Sequence, residues 1–306
     1  MKTYIGKISR CLLVMFVILF SSCEDILETL PSDRISSEVY WKNEQDAAYA
    51  ANAIYNYLNG TRIFVFDGMT DILHANTQFS DYASMERGEY DSNMEFVQTV
   101  WSDSYKGIRA VDYFLENVTR IPVKDRQKLD ILSAEVRVIR AYLYMQLVML
   151  YGDVPLVEKT IESIQEGKDV KRNSTEEVWN FINKELSEAA SILPVSSEMV
   201  GQVTKGAALA LSARGYLYQS KWKDAAIAAK AVIDLNKYDL YESYKDLFTY
   251  IAENNKEVIL DKQQVKDVCS NDVFKFLAPF SLKKQGPTFV PTKAIFDAYR
   301  MTNGKM

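Results

Sequence analysis

Trp101, Tyr105, Ile108, Val111, Leu115 and Val118 advance along the chain in steps of four and three, which places them on one face of an α-helix. A second face follows in Leu129, Leu132, Val136, Ile139, Leu143, Leu147 and Leu150, and Gly152 ends it. Ser174 and Glu177 have the spacing of a capping box. It opens a third helix that turns Val178, Phe181, Ile182, Leu186 and Leu193 inward and stops at Pro194. Upstream, Asn43 with Asp46 three residues on caps a helix that runs to Asn59, before Gly60. Thr204 to Gln219 and Trp222 to Leu235 predict a helix pair joined by a short turn. The only convincing strand candidate is Glu257 to Leu260, "EVIL". The pattern predicts an all-α (mainly α) chain.

The helices also repeat. "RAYLY" at Arg140 to Tyr144 recurs as "RGYLY" at Arg214 to Tyr218, with Ala134 matched by Ala208 at the same offset. Small residues and tyrosines in register predict two helices packed in equivalent layers. The second copy follows tetratricopeptide spacing, with Ala213, Tyr216, Trp222 and Ala225 at the small and bulky positions that let one helix nest on the next. Several positions of the full pattern are missing, and two ordinary amphipathic helices are the alternative. Both readings give stacked helical hairpins. Residues 38–260 then form a tetratricopeptide-like scaffold, interrupted at residues 61–95 by a loop-rich insertion of weak periodicity. Residues 261–306 mix Lys, Phe and Gly with Pro279, Pro287 and Pro291 and read as irregular.

The N-terminus follows a different pattern. Lys2, Lys7 and Arg10 precede ten apolar residues, Cys11 to Phe20, and then the small Ser21 and Ser22. A membrane span needs about 20 apolar residues, so residues 1–22 read as a cleaved secretory signal. Cys23 stands directly after it, where a bacterial lipoprotein carries its acyl chains. Phe20 departs from the usual Leu three positions earlier, and a plain signal with an incidental cysteine is the alternative. The polar residues 23–37 would tether the lipid to the body. Removing the three basic residues leaves 33 basic against 41 acidic, moving the net charge from −5 to −8. That balance opposes binding to nucleic acid or to an anionic membrane through a basic face. A lipid anchor needs no such face, because each buried CH₂ contributes about 0.8 kcal/mol. With Cys11 removed and Cys23 acylated, Cys269 is alone and no disulfide forms within the chain.

Candidate catalytic chemistry is sparse. His74 is the only histidine, so metal sites built on paired histidines and histidine-based triads lack support, and no cofactor is implied. "GQVTKG" at Gly201 to Gly206 is followed by Ala207 and Ala208, where a phosphate loop requires Lys and Ser or Thr. A glycosidase can work with two carboxylates alone. Asp81, Glu89, Asp267 and Asp272 are candidates, but surface solvation is their ordinary reading. Loop aromatics are a different signal: Phe79, Tyr82 and Tyr90 lie among Asn76, Gln78, Arg87 and Asn93. Flat rings beside amides and a guanidinium suit a sugar, whose C–H face stacks and whose hydroxyls need fixed partners. Phe79, Tyr82, Arg87, Tyr90 and Asn93 are therefore the candidate ligand contacts. The alternative is that these rings pin the loop to the helices.

Six stretches together resemble one family: "SCEDILETLPSDRIS", "YWKNEQDAAYAANAIYNYL", "WSDSYKGIRAVDYFLENV", "AEVRVIRAYLYMQLVMLYGDVPLV", "GQVTKGAALALSARGYLYQSKWKDAAIAAKAVI" and "KEVIL". They are similar to the SusD/RagB-like nutrient-binding lipoproteins of the outer membrane in Bacteroidota. The run Leu150 to Val157 is especially specific, and the resemblance makes Gly201 to Gly206 a helix entry. It implies a tetratricopeptide-like scaffold carrying a less regular ligand-binding portion. It also implies a non-catalytic protein that caps a SusC-like TonB-dependent transporter and passes it oligosaccharides, sometimes peptides. Glu24 and Asp25 resemble the acidic signal after the lipidated cysteine of surface-exported lipoproteins, with Cys23 as the anchor. Family members usually continue well beyond the point where this chain stops. Residues 261–306 therefore resemble the start of a C-terminal ligand-binding portion, cut short at Met306. A scaffold or docking lipoprotein that has lost ligand binding is the alternative expectation.

Overall fold

Asn43 opens α1 (Glu44–Ile54): its side-chain oxygen accepts from the backbone N–H groups of Gln45 and Asp46, and Asp46 accepts in return from Asn43 N–H at 3.1 Å. The computed structural model describes residues 40–59, 62–77, 80–265, 273–282 and 286–299, so Cys23, with the signal and tether expected around it, lies outside the described residues. Two units separate, Met1–Lys42 and Asn43–Met306. In the described part of the first, the rings of Tyr40 and Trp41 meet edge-on with centroids 5.3 Å apart.

In the second unit, α1 ends earlier than Asn59, in a 3₁₀ turn over Tyr55–Tyr57 that leaves Leu58 extended. Short elements follow: α2 (Arg62–Asp67), β1 (Leu73–Ala75) and α3 (Asp81–Glu86). The long helices are α4 (Glu95–Val118) and α5 (Gln127–Tyr151), then, past the short α6 (Ile164–Asp169), α7 (Thr175–Ile192). The pair α8 (Lys205–Tyr218) and α9 (Trp222–Ile233) comes next. Single 3₁₀ turns at Asp246–Phe248 and Tyr250–Ala252 precede α10 (Val273–Leu277), β2 (Phe289–Pro291) and α11 (Lys293–Ala298). The chain is mainly α and built from stacked helical hairpins. Among the described residues, no helix is long and apolar enough to cross a membrane.

α5 is the centre of the stack. It packs against α7, α4 and α1 and touches α8, while α8 packs on α9 and α7. The face expected on α5 is buried from Leu129 to Leu147, and Leu150 is exposed beyond the stack. Ala134, Val138, Ala141, Met145 and Val148 are buried as well, so α5 is covered on all sides. α4 fits closely at Gly107, where a Cβ would stand 2.6 Å from a Leu143 methyl and 2.9 Å from Tyr57 Cγ. The capping box of Ser174 and Glu177 forms as expected.

The run Leu150 to Val157 leads out of α5 as a strap held by side chains. Tyr144 accepts from Val157 N–H at 2.7 Å and donates to its carbonyl at 3.0 Å, and Tyr105 donates to the Pro155 carbonyl at 2.8 Å. Asp153 accepts from the backbone and hydroxyl of Thr175 at the start of α7. "EVIL" is not a strand. Asn255 takes up the Glu257 N–H in a local turn at 2.7 Å, the Glu257 carboxylate accepts from Tyr241 N–H, and no strand among the described residues offers it a ladder. The described strands are instead β1 and β2, paired antiparallel with His74 opposite Val290.

Charge is buried where three helices meet. Arg140 on α5 donates to Asp112 on α4 at 2.6 Å and to Glu185 on α7 at 2.6 and 3.0 Å, with its guanidinium 5.2 Å from the Phe181 ring centroid. Arg137 adds bonds of 2.9 and 2.6 Å to Glu185 and a contact to Glu188. In the repeat, Arg214 takes the place of Arg140 but is exposed, as are Leu217 and Tyr218 against buried Leu143 and Tyr144. The small positions keep their burial in both copies, Ala134 with Ala208 and Ala141 with Gly215. α8 packs on α9 and α7 and only touches α5, so it lacks the cover that α4 and α1 give α5. Arg140→Ala should therefore cost about 3–5 kcal/mol, because it leaves the buried Asp112 without its cation and Glu185 with Arg137 alone, whereas Arg214→Ala should stay within about 0.5 kcal/mol. Urea denaturation of both variants measures the contrast, and equal losses would refute this division of roles.

Candidate functional site

The insertion at residues 61–95 folds onto the irregular C-terminal part. β1 and β2 share backbone bonds extended by Asn76 N–H to the Thr288 carbonyl at 2.9 Å and Thr292 N–H to the Ile72 carbonyl at 3.0 Å. Beneath them lies a satellite core of Val65, Ala75, Ala83 and Phe289, with Leu73, Tyr82, Phe96, Phe276 and Leu277 packed against it. Gly68 lets Phe289 in, since a Cβ there would sit 2.2 Å from the ring.

Ser80 caps α3 by accepting from Ala83 N–H at 3.2 Å, and this turn sends the Tyr82 ring into the cluster. Tyr82 lies 5.2 Å from the Phe289 ring and 6.1 Å edge-on from Phe96, and burial raises its phenol pKa. Arg87 is on the surface and pairs with Glu89 at 2.8 Å, which holds the Glu89 carboxyl below its ordinary range. Tyr90 is 56 % exposed. Asn93 is exposed, and its N–H donates to Asp91 at 2.8 Å in a local turn. Phe79 and Gln78 lie outside the described residues, as do Asp267 and Asp272. Asn76 spends its amide on the Pro287 carbonyl at 3.1 Å. His74 Nδ1 is 2.5 Å from Glu86, which ties β1 to α3. The structure thus brings Arg87, Tyr90 and Asn93 to one exposed loop and packs Tyr82 below it. Among the described residues, no cluster of three or more His, Cys, Asp or Glu side chains is placed to hold a metal ion.

A second feature surrounds the helix entry at Gly201 to Gly206. Gly201 has φ +83°, and a Cβ there would stand 2.6 Å from Gln263 Cγ. Clefts of about 190 and 150 Å³ flank this loop, the larger lined by Asn52, Asn56, Gln202 and Asp261. The loop is held from below by Tyr55, whose hydroxyl accepts from Val203 N–H at 2.9 Å and donates to Glu135 at 2.8 Å. Burial pushes the Glu135 carboxyl up to about 7, against the Tyr55 hydrogen bond, which lowers it. The motif was visible in the sequence, but the partnership of Tyr55 with Glu135, 80 residues apart, had no local signal.

Residues 25–217 match the family described as "Starch-binding associating with outer membrane". The chain belongs to the SusD-like family. The SusD-like protein P25 of Formosa agariphila is 26 % identical over 285 residues, covering 86 % of this chain and 53 % of that one. A SusD-like protein of Bacteroides fragilis superimposes with a TM-score of 0.78 at 25 % identity, over 90 % of this chain and 56 % of the other. A laminarin-binding SusD-like protein does so with a TM-score of 0.66 at 26 % identity, over 72 % and 51 %. The chain spans about half the length of the curated relatives it matches.

Glu135 makes the stability of this SusD-like scaffold depend on pH. Its folded pKa of about 7 lies above the ordinary 4.5, so the folded state keeps a proton that the unfolded state has lost between those values. This group's contribution therefore falls as pH rises from about 4.5 to 7, by on the order of 1–3 kcal/mol. Glu135→Gln keeps an acceptor for Tyr55 and removes the titration. The variant should gain stability relative to the natural chain on going from pH 5 to pH 8 in urea melts, and a constant difference would show that Glu135 does not titrate there.

Proposed function

We propose that the protein is a lipid-anchored component of the outer membrane that binds oligosaccharide without cleaving it and delivers it to a SusC-like TonB-dependent transporter. The observation that carries this reading is the family match over residues 25–217, whose description joins starch binding to the outer membrane. Laminarin binding by one relative supports a glycan as cargo. In the proposed organisation, residues 1–22 are the signal and 23–37 the tether, with Cys23 acylated. Residues 38–260 are the scaffold around the 61–95 insertion, and residues 261–306 begin the ligand-binding portion. Arg87, Tyr90 and Asn93, with Phe79 and Tyr82, are the proposed sugar contacts. A docking lipoprotein without ligand binding is the second reading, favoured by the Tyr82 ring being taken up in the satellite core.

Incubation with neutral oligosaccharides should raise the melting temperature by a few degrees, since a ligand at a hundred times its Kd adds about 2.7 kcal/mol. The sugars should be recovered intact. Hydrolysis abolished by removing a carboxylate would replace this reading with an enzyme, and co-purification with a transporter without any glycan shift would favour the docking reading. A shift with peptides alone would change the cargo.

The anchor has its own test in cells. Cys23→Ala should release the protein from the outer-membrane fraction, and a variant that still pellets with the membrane would exclude lipidation at Cys23 as the attachment.

A further inference from the structure

The loop between α7 and α8 is closed on itself and tied down at one buried point. Lys205 N–H donates to the Pro194 carbonyl at 2.9 Å and shuts its base. Above that base, Met199 N–H donates to the Ser197 hydroxyl at 3.1 Å, and this hydroxyl contacts the Gln202 side chain. A loop whose ends meet and whose bonds are internal can move as one piece. The hydroxyls of Thr204 and Tyr238, 3.0 Å apart, hold the end that enters α8. Its tie to the helices beneath is Val203, 1 % exposed, whose N–H donates to the Tyr55 hydroxyl at 2.9 Å. Tyr55 in turn donates its O–H to Glu135 on α5.

Glu135 is 2 % exposed. Charges on the elements packed around it are engaged elsewhere. On α1, Glu44 pairs with Lys128 and Asp46 accepts from Asn43 N–H. On α4, Asp112 pairs with Arg140, and on α7, Glu185 takes both Arg137 and Arg140. Lys262 donates to the carbonyls of Asn56 and Leu58, and Arg214 on α8 is exposed. Burial and Tyr55 are what act on the Glu135 proton. Burial also pushes the Tyr55 phenol up, so that it stays a donor to Glu135 and an acceptor for Val203.

Ionised, Glu135 is a buried charge with a hydrogen bond from Tyr55 and no counter-ion. That bond favours the carboxylate, but burial is the larger influence and opposes it. Water is the remaining source of solvation. The 190 Å³ cleft already reaches Tyr55 on one side of Gly201, and the 150 Å³ cleft lies on the other. Parting Val203 from Tyr55 opens the relay to the first cleft. Tyr55, Glu135 and Val203 all lie within the family-matched residues.

We propose that Glu135 and Tyr55 form a proton-operated latch on the loop between α7 and α8. With Glu135 protonated, Val203 is held on Tyr55. When Glu135 gives up its proton to water, the loop lifts at Val203 and joins the clefts on either side of Gly201. The latch lies in the scaffold and works whichever ligand the protein takes.

Hydrogen exchange of the full chain, read by mass spectrometry at pH 6 and pH 8 and corrected for the intrinsic effect of pH, tests it. A carboxyl that titrates near 7 when covered and near 4.5 when open raises the open fraction about ten-fold over that interval. Protection of residues 199–204 should therefore fall about ten-fold in the natural chain and stay constant in Glu135→Gln. Low urea, well below the unfolding transition, should leave both results unchanged, because a local opening exposes little surface. Constant protection in the natural chain, or an equal fall in Glu135→Gln, would overturn the latch. So would loop amides that exchange at the rate of the buried α5 amides and share their urea dependence, since that is global unfolding. Should Glu135→Gln melt early, Tyr55→Phe decides: without the hydroxyl, the loop at pH 6 should be as weakly protected as the natural chain at pH 8, and unchanged protection would reject the latch.

Discussion

The helical stack depends on one constraint: α5 is covered by neighbours on all sides over its middle turns, from Ala134 to Val148, and carries a guanidinium inside. A helix covered on every side must be apolar, small or fully paired wherever it meets a neighbour. Residues such as Leu132, Ala134, Val136, Ala141 and Leu147 meet the first two conditions, and Arg140 meets the third through Asp112 on α4 and Glu185 on α7. The desolvation of such a pair offsets much of its attraction, so its main effect is to set how the helices align. An axial slip of any of the three helices would separate these charges.

From that centre the fold extends in two directions. Toward the C-terminus, α7, α8 and α9 continue the stack with smaller residues, such as Ala189, Ala208, Ala225 and Ala228, at the contacts. Toward the insertion, the strap after α5 is stitched by Tyr105, Tyr144 and Asp153, so that the family-like run Leu150 to Val157 has a structural role as the link from α5 into α7. The satellite core around Phe289 is separate chemistry. It joins residues 62–96 to residues 273–291 through a two-stranded sheet too short to persist without the apolar cluster below it.

The two cores decide which side chains stay at the surface. Tyr82 lies in the insertion and is spent on packing, whereas Arg87, Tyr90 and Asn93 just beyond it remain at the surface. Tyr244, Phe248 and Tyr299 are exposed too, and the hydroxyls of Tyr244 and Tyr299 lie 3.2 Å apart.

Periodicity and capping were legible from the residues because they are local. The faces of α4, α5 and α7, the box of Ser174 and Glu177 and the cap at Asn43 all follow from spacing within a few turns, whereas the family showed in the resemblance of six stretches spread along the chain. What a side chain meets across the fold is not local. Arg140 and Arg214 occupy the same place in a repeated motif, yet one is buried among carboxylates and the other exposed, because α5 has neighbours that α8 lacks. "EVIL" has strand residues but no partner strand among the described residues, while Leu73–Ala75 pairs with a segment more than 200 residues away. Sequence determined where the long helices form and which residues cap two of them, Asn43 and Ser174, but not the short helices in residues 61–95 and 261–306. Tertiary structure alone decided which charges are buried, which rings are spent on packing and which stay at the surface, since burial is a property of neighbours that distant parts of the chain supply.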